Sequence, residues 1–201
     1  PYQALPKDLA LYDQLPATFA NRQVKLTSNT TGRNTTRLQR DVLRERFAEI
    51  TAMDRSIGQL RDHLGSAGLR ANTLLWYCGD NGTPQEAVAT VPFRAQKGSI
   101  YEGGIREPLI IRWPGVAAPG STIAAPVSSP DFFPTLLDVA GIKPLPGQTL
   151  DGISLLPVLR GAATPERALF WQYPHYGNQG GAPAAAIRRG PWKLIHCRPC
   201  R

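Results

Sequence analysis

Asp80 and Asn81 stand side by side in Gly79-Asp80-Asn81-Gly82, directly after the apolar run Thr73-Leu74-Leu75-Trp76-Tyr77-Cys78. A carboxylate beside an amide oxygen offers hard donors of the kind Ca2+ or Mg2+ takes. The same tetrapeptide is also ordinary turn chemistry. Lys97 follows in Phe93-Arg94-Ala95-Gln96-Lys97-Gly98-Ser99, ahead of Ile100-Tyr101-Glu102-Gly103-Gly104. A lysine in such a loop suits either solvent or an anionic oxygen, which it meets as a point charge. Arg106 and Glu107 read as a structural ion pair. His175, in Tyr173-Pro174-His175-Tyr176, lies on an aromatic loop that would border a pocket. His63, His175 and His196 share no metal spacing with one another or with Cys78, Cys197 and Cys200. No Ser/His/Asp order and no phosphate-cradling loop is present.

These residues need elements to hold them. Leu43, Phe47, Ile50, Met53, Ile57, Leu60 and Leu64 predict one helix over 38–64 with a continuous apolar stripe. Gly65 and Gly68 supply its stop. Gly58 inside it costs about 1 kcal/mol against Ala, which close packing on a neighbouring backbone would explain. The run 73–78 predicts a strand covered on both faces, and Pro108 to Trp113 a second. Helix followed by buried strand suggests a doubly wound sheet. A helix is expected over about 130–140, with Ser129 as its cap, Pro130 at its first position and Gly141 at its end. A short helix is expected over 151–161, with Ser154 near its start. Ala186-Ile187-Arg188 and Trp192-Lys193-Leu194-Ile195 read as strands of a smaller antiparallel sheet. Residues 1–40 read as loop-rich and polar, with glycosylation sequons at Asn29-Thr30-Thr31 and Asn34-Thr35-Thr36.

Composition narrows the class. Of 201 residues, 42% are apolar, enough for a packed core. Nineteen glycines and nineteen prolines argue against a helical bundle and for shaped loops. No apolar run approaches the roughly 18–20 residues that span a bilayer, so a membrane-spanning helix is excluded. The net charge of +8 collects in Arg33, Arg37, Arg40, Arg44 and Arg46 and in the tail from 168 onward. No nucleic-acid-binding motif accompanies it, so a solvated helix face and a basic end are expected, with no nucleic-acid partner. Three cysteines are too few for a disulfide framework.

Longer motifs carry a resemblance. Ile50-Thr51-Ala52-Met53-Asp54-Arg55-Ser56-Ile57-Gly58, leading to Cys78-Gly79-Asp80-Asn81-Gly82, resembles the "xMDxxIG" helix and "SDNG" strand end of the type I, arylsulfatase-like sulfatases. Cys78-Gly79 departs from the usual Thr/Ser-Ser there. The stretch from Pro92 to Pro108 resembles "P-x-R-G-G-K-G-x-x-Y-E-G-G-x-R-V-P", with Ala95 and Gln96 in place of two glycines. Pro130-Asp131-Phe132-Phe133-Pro134-Thr135, Leu150-Asp151-Gly152-Ile153-Ser154 and Arg188-Arg189-Gly190-Pro191-Trp192-Lys193-Leu194 continue the likeness in order, so that it runs from about Pro1 to Ile195.

The resemblance implies an α/β fold, a partial alkaline-phosphatase-like sandwich with the start of a small C-terminal antiparallel sheet. Residues 1–161 would be the C-terminal part of the catalytic domain and 162–201 a truncated subdomain. It implies sulfate monoester hydrolysis by a formylglycine whose hydrate attacks sulfur and expels the alcohol. The sulfated intermediate then releases sulfate and restores the aldehyde, with Ca2+ neutralising the developing charge. Asp80 and Asn81 match two of the metal ligands, and Lys97 matches the lysine that contacts the sulfate and the leaving oxygen. His175 is a further candidate for substrate binding. The formylglycine motif and the other ligands are expected upstream of Pro1, leaving an incomplete Ca2+ site and little or no turnover by the chain alone. Cys197-Arg198-Pro199-Cys200-Arg201 fits both Cys-x-Pro-x-Arg and Cys-x-x-Cys, but it follows the metal pair instead of preceding it. The implied substrate is a sulfated small molecule or sulfated glycan, and the full-length enzyme would be periplasmic or secreted. A phosphonate or phosphate monoester hydrolase, or a basic polyanion-binding module, are the alternatives.

Overall fold

The computed structural model describes residues 4–16, 18, 22–27, 31–87, 92–176 and 181–197. Pro6 opens α1 (Pro6–Leu9), where a missing N–H costs no helical hydrogen bond. Asp8 in that helix is almost fully buried and takes both nitrogens of the Arg55 fork, Nη1 at 3.2 Å from Oδ2. The Arg55 hydrogen bond holds the Asp8 carboxyl below its ordinary range despite burial. Residues read as loop from sequence contain a hairpin, β1 (Gln23–Thr27) antiparallel to β2 (Asn34–Leu38), with Gln23 opposite Leu38. Val24 is the buried residue of the pair, too little apolar periodicity to announce two strands. Asn34, the first residue of one sequon, is exposed, and its Oδ1 accepts from Thr27 Oγ1 at 2.7 Å.

The long helix is α2 (Gln39–Ser66). Its apolar stripe is buried only near the N-terminal end, where Val42, Leu43 and Ala48 are core residues. Ile50, Met53 and Leu60 are 48%, 41% and 46% exposed, so the stripe is not one continuous contact surface. Nothing lies within 4 Å of where a Cβ on Gly58 would sit, so close packing is not the reason for that glycine. His63 is exposed, as its place on the polar side requires.

β3 (Leu75–Cys78) runs into the Asp80 turn. α3 (Glu102–Ile105) follows, and then β4 (Leu109–Arg112). The two strands pair antiparallel, Cys78 opposite Leu109 and Leu75 opposite Arg112. This corrects the doubly wound expectation for these two strands. It also corrects the expected cover on both faces: no residue of either strand is fully buried. An apolar run specifies what wants to leave water, not the direction of its neighbour. Trp76 packs edge-on against Phe132, ring centroids 4.3 Å apart.

Phe132 begins α4 (Phe132–Ala140), preceded by a 3-10 turn at Ser129–Asp131 and closed by Gly141 at φ 66°. The capping residue is Ser128, one earlier than expected, its N–H donating to Asp131 Oδ2 at 2.9 Å. The helix expected over 151–161 is reduced to α5 (Leu156–Leu159). The chain before it is pinned to α4 by Ile153 N–H to Asp131 Oδ1 at 3.0 Å and Leu155 N–H to Thr135 Oγ1 at 2.9 Å. The C-terminal sheet is antiparallel, in the order β5 (Ala168–Tyr173), β6 (Ala184–Arg189), β7 (Trp192–Cys197). Phe170, Ile187 and Leu194 lie opposite one another across its outer face. Cys197 is disulfide-bonded, whereas Cys200 and Arg201 lie outside the described residues. Among the described residues no helix is long and apolar enough to cross a membrane.

Candidate functional site

Two loops that are distant in sequence are pressed together through glycine. A Cβ on Gly82 would lie 1.9 Å from the Gly103 carbonyl oxygen. One on Gly103 would lie 2.1 Å from the Ala95 oxygen, and one on Gly104 2.0 Å from the Ser99 oxygen. No side chain fits at those distances, so Gly82, Gly103 and Gly104 are there because backbone packs on backbone. Hydrogen bonds lock the stack: Gly82 N–H to Gly104 O at 2.9 Å, Gly103 N–H to Arg94 O at 2.8 Å, and Lys97 N–H to Thr83 O at 3.1 Å. The Asp80-Asn81 turn and the Lys97 loop are thereby fixed on one glycine floor.

The loop is braced at its sides as well. The Arg94 guanidinium lies over the Tyr101 ring at 4.2 Å, and that of Arg106 over Phe93 at 4.7 Å. Ala95 adopts φ 63°, a left-handed conformation that costs a residue with a Cβ roughly 1–2 kcal/mol. It occupies one of the two positions where the resembling motif has glycine.

Asp80 is exposed, while Asn81 and Lys97 are half-buried. Sequence reasoning paired Arg106 with Glu107, and the structure separates them. Arg106 Nη1 lies 3.8 Å from Glu102 Oε2, one helical turn back. Glu107 instead turns toward the end of β3, where a Cβ on Gly79 would meet its Oε2 at 2.3 Å. Burial and then the charge of Asp80 push the Glu107 carboxyl above its ordinary value. The unusual glycine at 79 was the signal for this neighbour, because it makes the room that Glu107 fills.

His175 is exposed and edge-on to Tyr173, centroids 5.8 Å apart. Tyr173 abuts Gly181, whose Cβ would fall 2.7 Å from the tyrosine ring and 2.8 Å from the Gly98 oxygen beside Lys97. Residues 177–180 of the loop between them lie outside the described residues.

Asp80 and Asn81 present the hard oxygen donors that Ca2+ takes, but two donors fall short of the about six to eight such an ion requires. Among the described residues no cluster of three or more His, Cys, Asp or Glu side chains forms a metal site. The two donors fit Ca2+ in kind but not in number.

The model of the sulfatase family matches residues 8–142, and that of the N-sulphoglucosamine sulphohydrolase C-terminal region matches 95–199. The chain belongs to the sulfatase family. It is 39% identical to human arylsulfatase A over 149 residues, which is 72% of this chain and 29% of that protein. The chain thus spans less than a third of the length of the curated relatives it matches. Among solved structures it resembles BT4656 in complex with its substrate D-glucosamine-2-N,6-O-disulfate, with a TM-score of 0.68 and 31% identity over 79% of this chain and 32% of that one. It also resembles Ps i-CgsB, with a TM-score of 0.76 and 26% identity over 97% of this chain and 38% of that one. The fold is accordingly that of an alkaline-phosphatase-like sulfatase, of which these residues form a part.

Proposed function

We propose that this chain forms the C-terminal portion of a sulfuric ester hydrolase and carries the Asp80-Asn81 end of its Ca2+ site together with the sulfate-contacting Lys97. The observation that carries this reading is the glycine floor, which joins the Asp80 turn to the Lys97 loop through Gly82 N–H to Gly104 O and Lys97 N–H to Thr83 O. On this reading residues 1–161 belong to the catalytic α/β domain and 162–201 to the C-terminal subdomain.

Bound Ca2+ would draw negative charge from a sulfate oxygen, and formylglycine, held outside this chain, would supply the nucleophile. Asp80 and Asn81 would contribute oxygens to the ion. Lys97 would hold the sulfate by charge and stabilise the departing alkoxide oxygen. The half-buried setting of Lys97 strengthens that attraction relative to open water. A sulfated small molecule or sulfated glycan would be the substrate class, with His175 as a candidate substrate contact, and the compartment would be periplasmic or secreted.

The test joins this chain to an N-terminal sulfatase segment carrying a matured Cys-x-Pro-x-Arg motif and assays a chromogenic aryl sulfate with Ca2+. Lys97→Ala and Asp80→Ala should each lower kcat/KM by about 10²-fold or more. Unchanged rates in both variants would refute the assignment. Aryl phosphate and phosphonate esters run in parallel decide between sulfatase and phosphonate hydrolase. The chain without that segment should show little or no turnover. Activity of this chain alone that Lys97→Ala abolishes would overturn the division of the site.

A further inference from the structure

The ammonium of Lys193 reaches out of β7 to Glu102, Nζ to Oε1 2.7 Å, across 91 positions of sequence. It is largely withdrawn from water, with its side chain 14% exposed, and it lies 5.3 Å from the Trp171 ring centroid. Burial alone would raise the Glu102 carboxyl, but the Lys193 hydrogen bond and the charges of Lys193, Arg188 and Arg106 outweigh it and hold it below its ordinary value. Glu102 is the first residue of α3, and Gly103 and Gly104, which form the glycine floor, follow it directly. The C-terminal sheet makes a second approach to the same loop where Gly181 meets the carbonyl of Gly98, next to Lys97.

We propose that Lys193 is a positioning residue for Lys97: the C-terminal sheet fixes the anion-binding loop by gripping Glu102. This rests on the reading of Lys97 given above. The Lys193 head group takes no part in the backbone ladder that pairs β6 with β7, so neutralising it leaves that ladder intact. Arg106 approaches the other oxygen of Glu102 at 3.8 Å, but it is 59% exposed and too loosely held to replace Lys193. The half-buried ammonium is therefore the firmer of the two cations that hold Glu102.

The experiment is amide hydrogen exchange on the full chain, comparing Lys193→Met, Lys193→Arg, Glu102→Gln and the Met/Gln double variant. In Lys193→Met the amides of Gly82, Lys97, Gly103 and Gly104 should exchange about tenfold faster, the loss expected for one charge-assisted hydrogen bond. Glu102→Gln should match it, the double variant should add nothing, and Lys193→Arg should return close to the parent. The amides of β6 and β7 should keep their parent rates. Unchanged loop exchange in Lys193→Met, or equal acceleration across β5, β6 and β7, would overturn the proposal. A second arm adds inorganic sulfate. Protection of the Lys97 amide in the parent, lost in Lys97→Ala, weakened about tenfold in Lys193→Met and restored in Lys193→Arg, supports positioning of an anion site. Absence of sulfate protection in the parent counts against Lys97 as anion ligand, while the exchange arm decides the tether by itself.

Discussion

The guanidinium of Arg167 closes on the fully buried carboxylate of Asp131, Nη1 donating to Oδ1 at 2.6 Å and Nη2 to Oδ2. Asp131 also accepts from the N–H groups of Ser128 and Ile153. One side chain thus ties the start of α4, the segment before α5 and the entry to β5. Burial alone would raise this carboxyl, but Arg167 and the two backbone donors hold it below the ordinary carboxylate range.

Asp131→Ala should lower the unfolding free energy by about 3–5 kcal/mol at neutral pH, since it strands a buried cation. A depressed folded value means that the stability is present above the unfolded value and disappears as pH falls through the folded one. Urea unfolding from pH 7 down to pH 2 should therefore show the parent and Asp131→Ala converging in acid. A constant gap across that range would contradict the ion pair.

The glycine floor makes a steric prediction. Gly103→Ala and Gly104→Ala should each cost at least about 3 kcal/mol, because the added carbon meets immobile backbone and not a side chain that can swing aside. Ala95→Gly should do the opposite and add about 1 kcal/mol, by relieving the left-handed backbone. Chemical denaturation of the three variants checks both signs.

Burial along α2 predicts a gradient. Leu43→Ala, at 2% exposure, should cost about 2–5 kcal/mol, and Leu60→Ala less than about 1 kcal/mol. Gly58→Ala, in open space within the helix, should stabilise by about 0.5–1 kcal/mol. Equal losses for Leu43→Ala and Leu60→Ala would mean that the far half of the helix is covered in solution.

Glu107 makes a prediction about pH. A carboxyl whose folded value is raised is harder to ionise in the fold than in the unfolded chain, so its ionised form costs stability above that value and nothing below the unfolded one. Glu107→Gln should accordingly be more stable than the parent at pH 7 and indistinguishable from it near pH 3. Added Ca2+ should narrow the gap at pH 7 if the ion sits beside Asp80. A Glu107→Gln variant that is less stable at neutral pH would show that the carboxylate is held by a favourable partner.

Much of this was legible in sequence, and the remainder has identifiable causes. α2, β3, β4, α4, β6 and β7 follow from periodicity, apolar runs and the Gly141 stop, which are local signals. The β1–β2 hairpin was not legible because Asn34, Thr35 and Thr36 give no apolar alternation. β5 was hidden because its aromatic residues point to both faces. The antiparallel pairing of β3 with β4 depends on how residues 79–108 fold back, which no single run encodes. At the site, Asp80, Asn81 and Lys97 stood out by donor type and charge, and their roles came from motif likeness. Their shared glycine floor, the turn of Glu107 toward Gly79 and the Lys193 tether are contacts between distant segments, and only three-dimensional packing reveals them.

Because β4 returns alongside β3, the turn that follows one strand and the residue that precedes the other end up as neighbours. The oxygen donors, the lysine and the glycines that seat them therefore all belong to a single unbroken span of chain, from Gly79 to Pro108. Such a span keeps its own backbone bonds when a loop elsewhere changes length, provided that Glu102 still meets Lys193 of the C-terminal sheet.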